Sequence, residues 1–159
     1  MTSKHNPVVV TFAVERLKDI LPEMEELWRL HWQETEGYRD ALGYNPDVRA
    51  FRAFDEAGMF REYTAREAGR LVGHIGFIVF KSRHTQTLTA GEDFFYFRPE
   101  ARRGVLAVQF LRYALAQLRA EGVEAVTMSS KLSNDIDPLL KRVGFDLVAK
   151  QYQLLFKGA

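Results

Sequence analysis

The apolar positions of the chain change period several times, and each change marks an element. Between Pro7 and Val14, the residues Val8, Val9, Val10, Phe12 and Val14 read as a first strand. From Leu17 to about Glu36 the spacing lengthens. Ile20, Met24, Leu27 and His31 share one stripe, widened by Leu17, Leu21 and Trp28, which predicts an amphipathic helix. Asp19 is its candidate cap, and Pro22 falls in the first turn, where proline is tolerated. Gly37 to Pro46, with Gly37, Gly43 and Asn45, reads as a loop. Asp47 to Ala57 is a short second helix with Val48, Phe51 and Phe54 inward, ended by Gly58.

Strand-like runs follow. Met59 to Ala65 is a strand, Arg66 to Gly69 a turn, and Arg70 to Phe80 a long apolar strand. Its partner runs from Thr85 or Gln86 to Phe97, with Lys81 to His84 as the hairpin connection. Phe94-Phe95-Tyr96-Phe97 is an aromatic run bounded by acids and by Pro99, which cannot donate to a ladder and ends it. From Val105 the period becomes helical, with Val108, Leu111, Leu115 and Leu118 on one face and Gly122 just past the end. Glu124 to Lys131 is a strand, Asp135 to Val143 a short helix capped by Gly144, and Phe145 to Phe156 one or two closing strands. The order β-α-α-β-β-β-α-β-α-β(β) predicts an α/β fold. A central mixed, mostly antiparallel sheet of six to seven strands is flanked by about four helices.

Length and charge narrow the function. A chain of 159 residues holds one domain with a proper core, here residues 1–159, and is too short for two ordinary ones. A net charge of +1 gives no bulk attraction to nucleic acid or to an anionic membrane. The absence of cysteine excludes disulfides and a thiol nucleophile and is compatible with a reducing cytoplasm. Met1 to Lys18 has no apolar signal core, and no run approaches membrane-spanning length. His5, His74 and His84 show no ligand spacing, so no metal is expected. The phosphate-loop pattern G-x-x-x-x-G-K-[ST] is absent.

The connection between the aromatic strand and the helix carries the strongest chemical signal. Arg102, Arg103 and Gly104 stand at a helix N-terminus, where free backbone N–H groups and the positive dipole end point outward. A glycine lets a ligand approach the backbone, and the arginines add charge. Together they predict an anion site suited to phosphate. The plainer alternative is a strand–helix connection with a solvated arginine pair.

The same segment resembles the acetyl-CoA-binding motif of the Gcn5-related N-acetyltransferases, R/Q-x-x-G-x-G/A. Arg102-Arg103-Gly104-Val105-Leu106-Ala107 keeps the leading arginine and the closing small residue, with the glycine one place early. This variant is similar to acetyltransferase-like proteins encoded by bacteriophages. Leu139-Leu140-Lys141-Arg142-Val143-Gly144-Phe145 resembles the family's lysine-x-glycine-phenylalanine segment, and the element order matches as well. The resemblance implies acetyl-CoA as co-substrate, bound through Phe95, Tyr96, Phe97, Arg102, Arg103, Gly104, Val105, Leu106, Ala107, Val108 and Asn134. Asn134 has a second reading as the cap of the following helix. The resemblance also implies a strand N–H at Phe95, Tyr96 or Phe97 that polarises the thioester carbonyl.

Acetyl transfer to an amine needs a proton acceptor. A lysine-type amine has a pKa of about 10.4, so making it neutral at pH 7 costs about 4.6 kcal/mol. Glu92 and Asp93, at the head of the aromatic strand, are the candidates. Strict alternation puts Glu92 on the Phe94/Tyr96 face and Asp93 on the Phe95/Phe97 face, and Asp93 falls nearest the family's position. Leu140 stands where the family often has a general-acid tyrosine; Tyr152 or water is the substitute. The acceptor site implied by the resemblance draws on His31, Glu34, Tyr38 and Tyr44. His31 also lies on the apolar helix stripe, the place of a packed core histidine.

The reading is an N-acetyltransferase acting on a primary amine by direct transfer. The rival is a phage accessory protein of the same fold that binds CoA or a host protein. Near-neutral charge disfavours a nucleic-acid module. An exposed final strand could pair across a homodimer.

Overall fold

The computed structural model describes residues 9–36 and 42–156. The described residues form five strands and four helices: β1 Val10–Glu15, α1 Leu17–Thr35, α2 Val48–Glu56, β2 Phe60–Glu67, β3 Arg70–Lys81, β4 Leu88–Phe97, α3 Leu106–Ala120, β5 Ala125–Thr127 and α4 Asp137–Val143. A single turn of tighter helix, Pro99–Ala101, links β4 to the α3 region. The sheet order is β1-β2-β3-β4-β5. The first three pairings are antiparallel and β4 with β5 is parallel, so the sheet is mixed. No helix among the described residues is long and apolar enough to cross a membrane.

Each face of the sheet buries its own helices. Tyr63, Ile75, Phe77 and Phe97 point to one face and pack with Phe110, Leu111, Ala114 and Leu118 of α3 and with Leu140 of α4. Phe97 meets Phe110 edge-on at 5.3 Å. Phe60, Leu71 and Tyr96 point to the other face, against Leu17, Ile20, Met24, Leu27 and Trp28 of α1 and against α2. Trp28 stacks on Phe94 at 5.1 Å. The 3.6-residue stripe of each helix thus meets the two-residue alternation of the strands.

Local signals decide several boundaries. Asp47 caps α2 by accepting from the Ala50 N–H at 3.0 Å. The α1 helix instead starts behind Arg16, with no side-chain cap, and Asp19 sits in its first turn rather than capping it. Gly73 is required by a close approach, because a Cβ there would lie 2.3 Å from the Phe97 ring. Gly144 ends α4 in the left-handed region at φ 110°.

Two expectations fail at the C-terminal side. The strand anticipated over Glu124–Lys131 shrinks to Ala125–Thr127, because Ser129 onward turns away from β4 into a polar loop. The strands anticipated over Phe145–Phe156 do not form: this stretch joins no sheet, and residues 146–156 are exposed. The described sheet therefore has five strands instead of six to seven.

Candidate active site

The cleft begins where β4 and β5 part. Their pairing stops at Gly91 and Thr127, yet β4 continues to Phe97. The side of β4 beyond Gly91 that faces away from β3 therefore has no strand partner among the described residues. Arg98 N–H donates to Val72 O at 2.8 Å. By alternation the main-chain groups of Tyr96 and Phe94 also face β3, and those of Phe95 and Phe97 face the opening. The Phe97 carbonyl points that way, since it accepts from Arg102 Nε at 2.9 Å. Of the three strand N–H groups anticipated, Tyr96 is thus directed into the ladder.

A bulge re-aims the two acids. Gly76 pairs with Phe94 but Phe77 pairs with Glu92, so Asp93 is the extra residue. The expected faces are therefore reversed. Glu92 shares the face of Phe77, and its carboxylate accepts from Ser129 N–H at 3.3 Å and Ser129 Oγ at 3.4 Å, tying β4 to the loop after β5. Asp93 is exposed, and its charge is felt by Glu62 and His74 on the α1 side. Partial burial raises the Asp93 carboxyl above its usual range against the pull of Lys131, and burial likewise raises Glu92 against the Ser129 N–H bond.

Beneath the bulge lies a pair of titratable groups that sequence reasoning missed. His74 Nδ1 is 3.1 Å from Glu62 Oε1, and both side chains are wholly buried. Glu62 Oε2 and His74 Nε2 take no hydrogen-bond partner among the described residues. Burial, then the Asp93 charge, pushes the Glu62 carboxyl well up, and burial pushes the imidazole down to about 3. The pair is therefore a neutral acid beside a neutral imidazole. The only sequence signal was Glu62 between Arg61 and Tyr63, which alternation reads as a solvent-facing position in a sheet covered on one side.

The turn at the other end of β4 holds its arginines on carboxylates. Arg102 Nη2 bonds Glu34 Oε2 at 2.7 Å, and its guanidinium lies 5.1 Å above the Tyr96 ring. The Tyr96 hydroxyl donates to the same carboxylate at 3.1 Å. Arg103 pairs with Glu67 and with the Glu100 carbonyl. Gly104 adopts φ 55°, the left-handed region that favours glycine. Leu106 N–H bonds Arg103 O, and Gln109 N–H closes on Val105 O. The Ala107 and Val108 N–H groups between them take no backbone acceptor among the described residues and stand at the helix start, where such groups point outward. The last turn of α1 reaches the loop after β5 too: Lys131 pairs with Glu36, and Ser133 Oγ donates to Thr35 O at 2.9 Å.

A sequence model of the acetyltransferase (GNAT) family matches residues 21–145. The chain belongs to this family. Three solved structures share its fold. A predicted acetyltransferase with acetyl-CoA from Clostridium acetobutylicum is 14% identical, over 92% of this chain and 96% of that one, with a TM-score of 0.68. A ribosomal-protein-alanine N-acetyltransferase from Brucella melitensis is 16% identical, over 93% and 99%, at 0.68. An aminoglycoside acetyltransferase from an uncultured soil metagenomic sample is 15% identical, over 93% and 99%, at 0.71. At these identities the likeness is one of fold. No curated protein sequence matches the chain.

The remaining anticipated residues of this GNAT chain divide sharply. His31 is buried, stacks on Tyr96 at 5.3 Å and meets Phe94 edge-on at 6.3 Å; burial pushes its imidazole down to about 3. It packs at the inner end of α1, within the core it shares with His74. Glu34 lies at the cleft, and its carboxyl is lowered by the bond from Arg102. Tyr44 packs on Trp32, at 5.9 Å, and lines a groove with Pro22, Arg29 and Pro46 on the outer side of α1. Tyr38 lies outside the described residues. Asn134 bridges back to Lys131 and does not cap α4, which starts behind Ile136 with no side-chain cap; Asp135 accepts from the Asp137 N–H at 2.8 Å just before it. Tyr152 is 89% exposed on the unpaired final segment and does not reach the cleft of its own chain.

Proposed function

We propose that residues 1–159 form one acetyltransferase domain that moves an acetyl group from acetyl-CoA to a primary amine by direct transfer in a ternary complex. The observation that carries this reading is the opening between β4 and β5, with the Phe95 and Phe97 main chain turned into it and Asp93 aimed beside it. The protein residues fit the co-substrate. The Gly104 turn and the free Ala107 and Val108 N–H groups suit a pyrophosphate, with Arg102, Arg103, Val105 and Leu106 around it. The pantetheine arm fits the opening, flanked by Asn134, and acetyl-CoA supplies the activated acetyl carbonyl there.

The Phe95 or Phe97 N–H, preorganised by the ladder, stabilises the negative charge that develops on that carbonyl oxygen. Asp93 removes the proton from the attacking amine; its raised pKa makes it a better base than a solvated aspartate. The new N–C bond forms as the C–S bond breaks, and the electron pair leaves with sulfur. Leu140 is buried in the α3-side core and Tyr152 stands away from the cleft, so the thiolate leaves unaided or takes a proton from water. Glu92 acts by holding the loop after β5 rather than as the base. The amine enters between the end of α1 and β4, past Glu34 and His31. On this reading the enzyme works in the cytoplasm as a homodimer.

One observation favours a second reading. Arg102 and Arg103 are both held by carboxylates. A phage-borne accessory protein that keeps the fold but binds CoA or a host protein with weak turnover would need neither arginine free. Calorimetric titration with acetyl-CoA, dephospho-CoA and ATP, followed by thiol release with a panel of amines, separates the two. Micromolar acetyl-CoA binding with amine-dependent thiol release is expected. Binding without release from any amine selects the second reading, and no binding at millimolar ligand removes both CoA-based readings.

A further inference from the structure

The loop after β5 brings to the cleft a primary amine that the acetyl-transfer reading leaves without a role. Hydrogen bonds tie this loop on both sides. Ser129 is bonded to Glu92 of β4, Ser133 Oγ donates to Thr35 O at the end of α1, and the Ile136 N–H donates to Ser130 Oγ at 2.9 Å. Between these ties Lys131 bridges to Asn134 and sends its ammonium to Glu36, the residue that ends α1. The Lys131–Glu36 pair therefore reaches from the β5 side of the opening to the α1 side, where the amine enters. The Lys131 side chain is 40% exposed, so a partly solvated and weak pair holds its flexible four-carbon stem. Asp93, raised by burial, feels the Lys131 charge as the main pull against that rise. The other lysines among the described residues stand elsewhere: Lys18 in the first turn of α1, Lys81 at the end of β3, Lys141 on α4 and Lys150 on the exposed final segment.

We infer that Lys131 is an acetyl acceptor within its own chain, a modification site that the cleft acetylates when no other amine occupies it. The inference rests on the acetyl-transfer reading and names one amine of known position for it. Released from Glu36 and neutral, Lys131 Nζ attacks the thioester carbonyl carbon. The N–C bond forms as the C–S bond breaks, the electron pair leaves with sulfur as the CoA thiolate, and the amine proton passes to Asp93. An amine already held at the cleft does not have to diffuse in, so the step is intramolecular and independent of chain concentration. The acetylated side chain is neutral, which ends its pairing with Glu36.

Peptide mapping by mass spectrometry, after incubation with acetyl-CoA and no added amine, tests it. One acetyl group is expected on Lys131, gained faster than on the exposed Lys150 and at a rate that dilution of the chain leaves unchanged. Asp93→Asn should slow the gain about 10²-fold or more. Lys131→Arg keeps a cation for Glu36 but offers no amine to acetylate, and should leave this loop unmodified. Independently of turnover, bound CoA should shield Lys131, and not Lys150, from acetic anhydride. The inference is overturned if Lys131 stays unmodified while an added amine releases thiol, or if bound CoA leaves it unshielded. It is equally overturned if Lys131 gains acetyl no faster than Lys150, as fast in the Asp93→Asn chain, or more slowly on dilution. Should the variants fail to fold, the map and the shielding of the native chain still decide. Failure of the acetyl-transfer reading itself shows differently, as no acetyl-CoA binding in calorimetry, and removes the inference with it.

Discussion

The two faces of the sheet are made from alternate residues of the same strands, and they carry opposite chemistry. On the α3 side, Tyr63, Ile75, Phe77 and Phe97 meet Phe110, Leu111 and Leu118 in an almost wholly apolar layer. One residue along each strand, on the α1 side, stand Glu62, His74 and Tyr96, with His31 packed over them from α1. The first face is what a sheet needs in order to fold. The second gives up apolar burial for titratable groups, two of them with unpartnered buried atoms, and such concessions collect at functional sites. The β4 bulge joins the two faces, because a single extra residue sends Asp93 toward the polar one and Glu92 toward the other.

The largest effects should therefore separate along this line. Phe110 is fully buried and touches Phe12 and Phe97. Phe110→Ala should cost about 3–5 kcal/mol of stability in urea unfolding, with the pH dependence of catalysis in the surviving fold unchanged. Asp93→Asn should do the reverse. Its side chain is exposed, so unfolding should move by less than about 1 kcal/mol. Turnover with the best amine should fall about 10²- to 10⁴-fold, the usual worth of a general base. A loss confined to KM would assign Asp93 to acceptor binding instead.

The pH dependence of stability sharpens the same contrast. His31 and His74 are held down to about 3 in the fold, against about 6.5 in an unfolded chain. Below pH 6.5 the unfolded chain binds the protons, so stability falls as pH falls, by about 1 kcal/mol per imidazole between pH 7 and 5.5. Glu62 has the opposite sign. Its folded pKa is raised, so the fold binds the extra proton between that value and the ordinary carboxylate range, and stability rises as pH falls through that window. In the native chain the terms oppose. In Glu62→Gln only the histidine terms remain, and the drop in Tm from pH 7 to 5.5 should steepen. An unchanged slope would mean that Glu62 stays ionised in the fold across this range beside a neutral His74.

Much of this was legible in the sequence, and the failures have physical causes. The α1 and α3 stripes read correctly because both helices bury one face, and Gly104 was placed at the turn because its neighbours signalled a helix start. The bulge was invisible: Glu92-Asp93-Phe94-Phe95 alternates equally well with or without an extra residue, so the two acids were put on the wrong faces. Glu62 and His74 escaped because alternation assigns polar positions to water, whereas here α1 and α2 cover that face. The final segment was read as a strand from its own pattern, but a strand also needs an edge to pair with, and that information lies outside the segment. The arginine turn was recognised, but its carboxylate partners, Glu34 and Glu67, lie far away in the chain.

The smallest effect tests that last point. Glu34 and Arg102 are each about one-third exposed, so their ion pair should add less than about 1 kcal/mol to stability. Its importance would be competitive: a pyrophosphate at the Gly104 turn and the Glu34 carboxylate want the same guanidinium. Glu34→Gln keeps the shape, and its neutral amide can still take the Tyr96 hydroxyl bond while losing the charge that holds Arg102. Acetyl-CoA affinity by calorimetry should then rise, roughly three- to tenfold, since a charge-assisted bond no longer has to be surrendered on binding. A fall in affinity would reverse the assignment. Glu34 would then be holding Arg102 in position for the phosphate, and the pair would be part of the finished site rather than a contact that binding displaces.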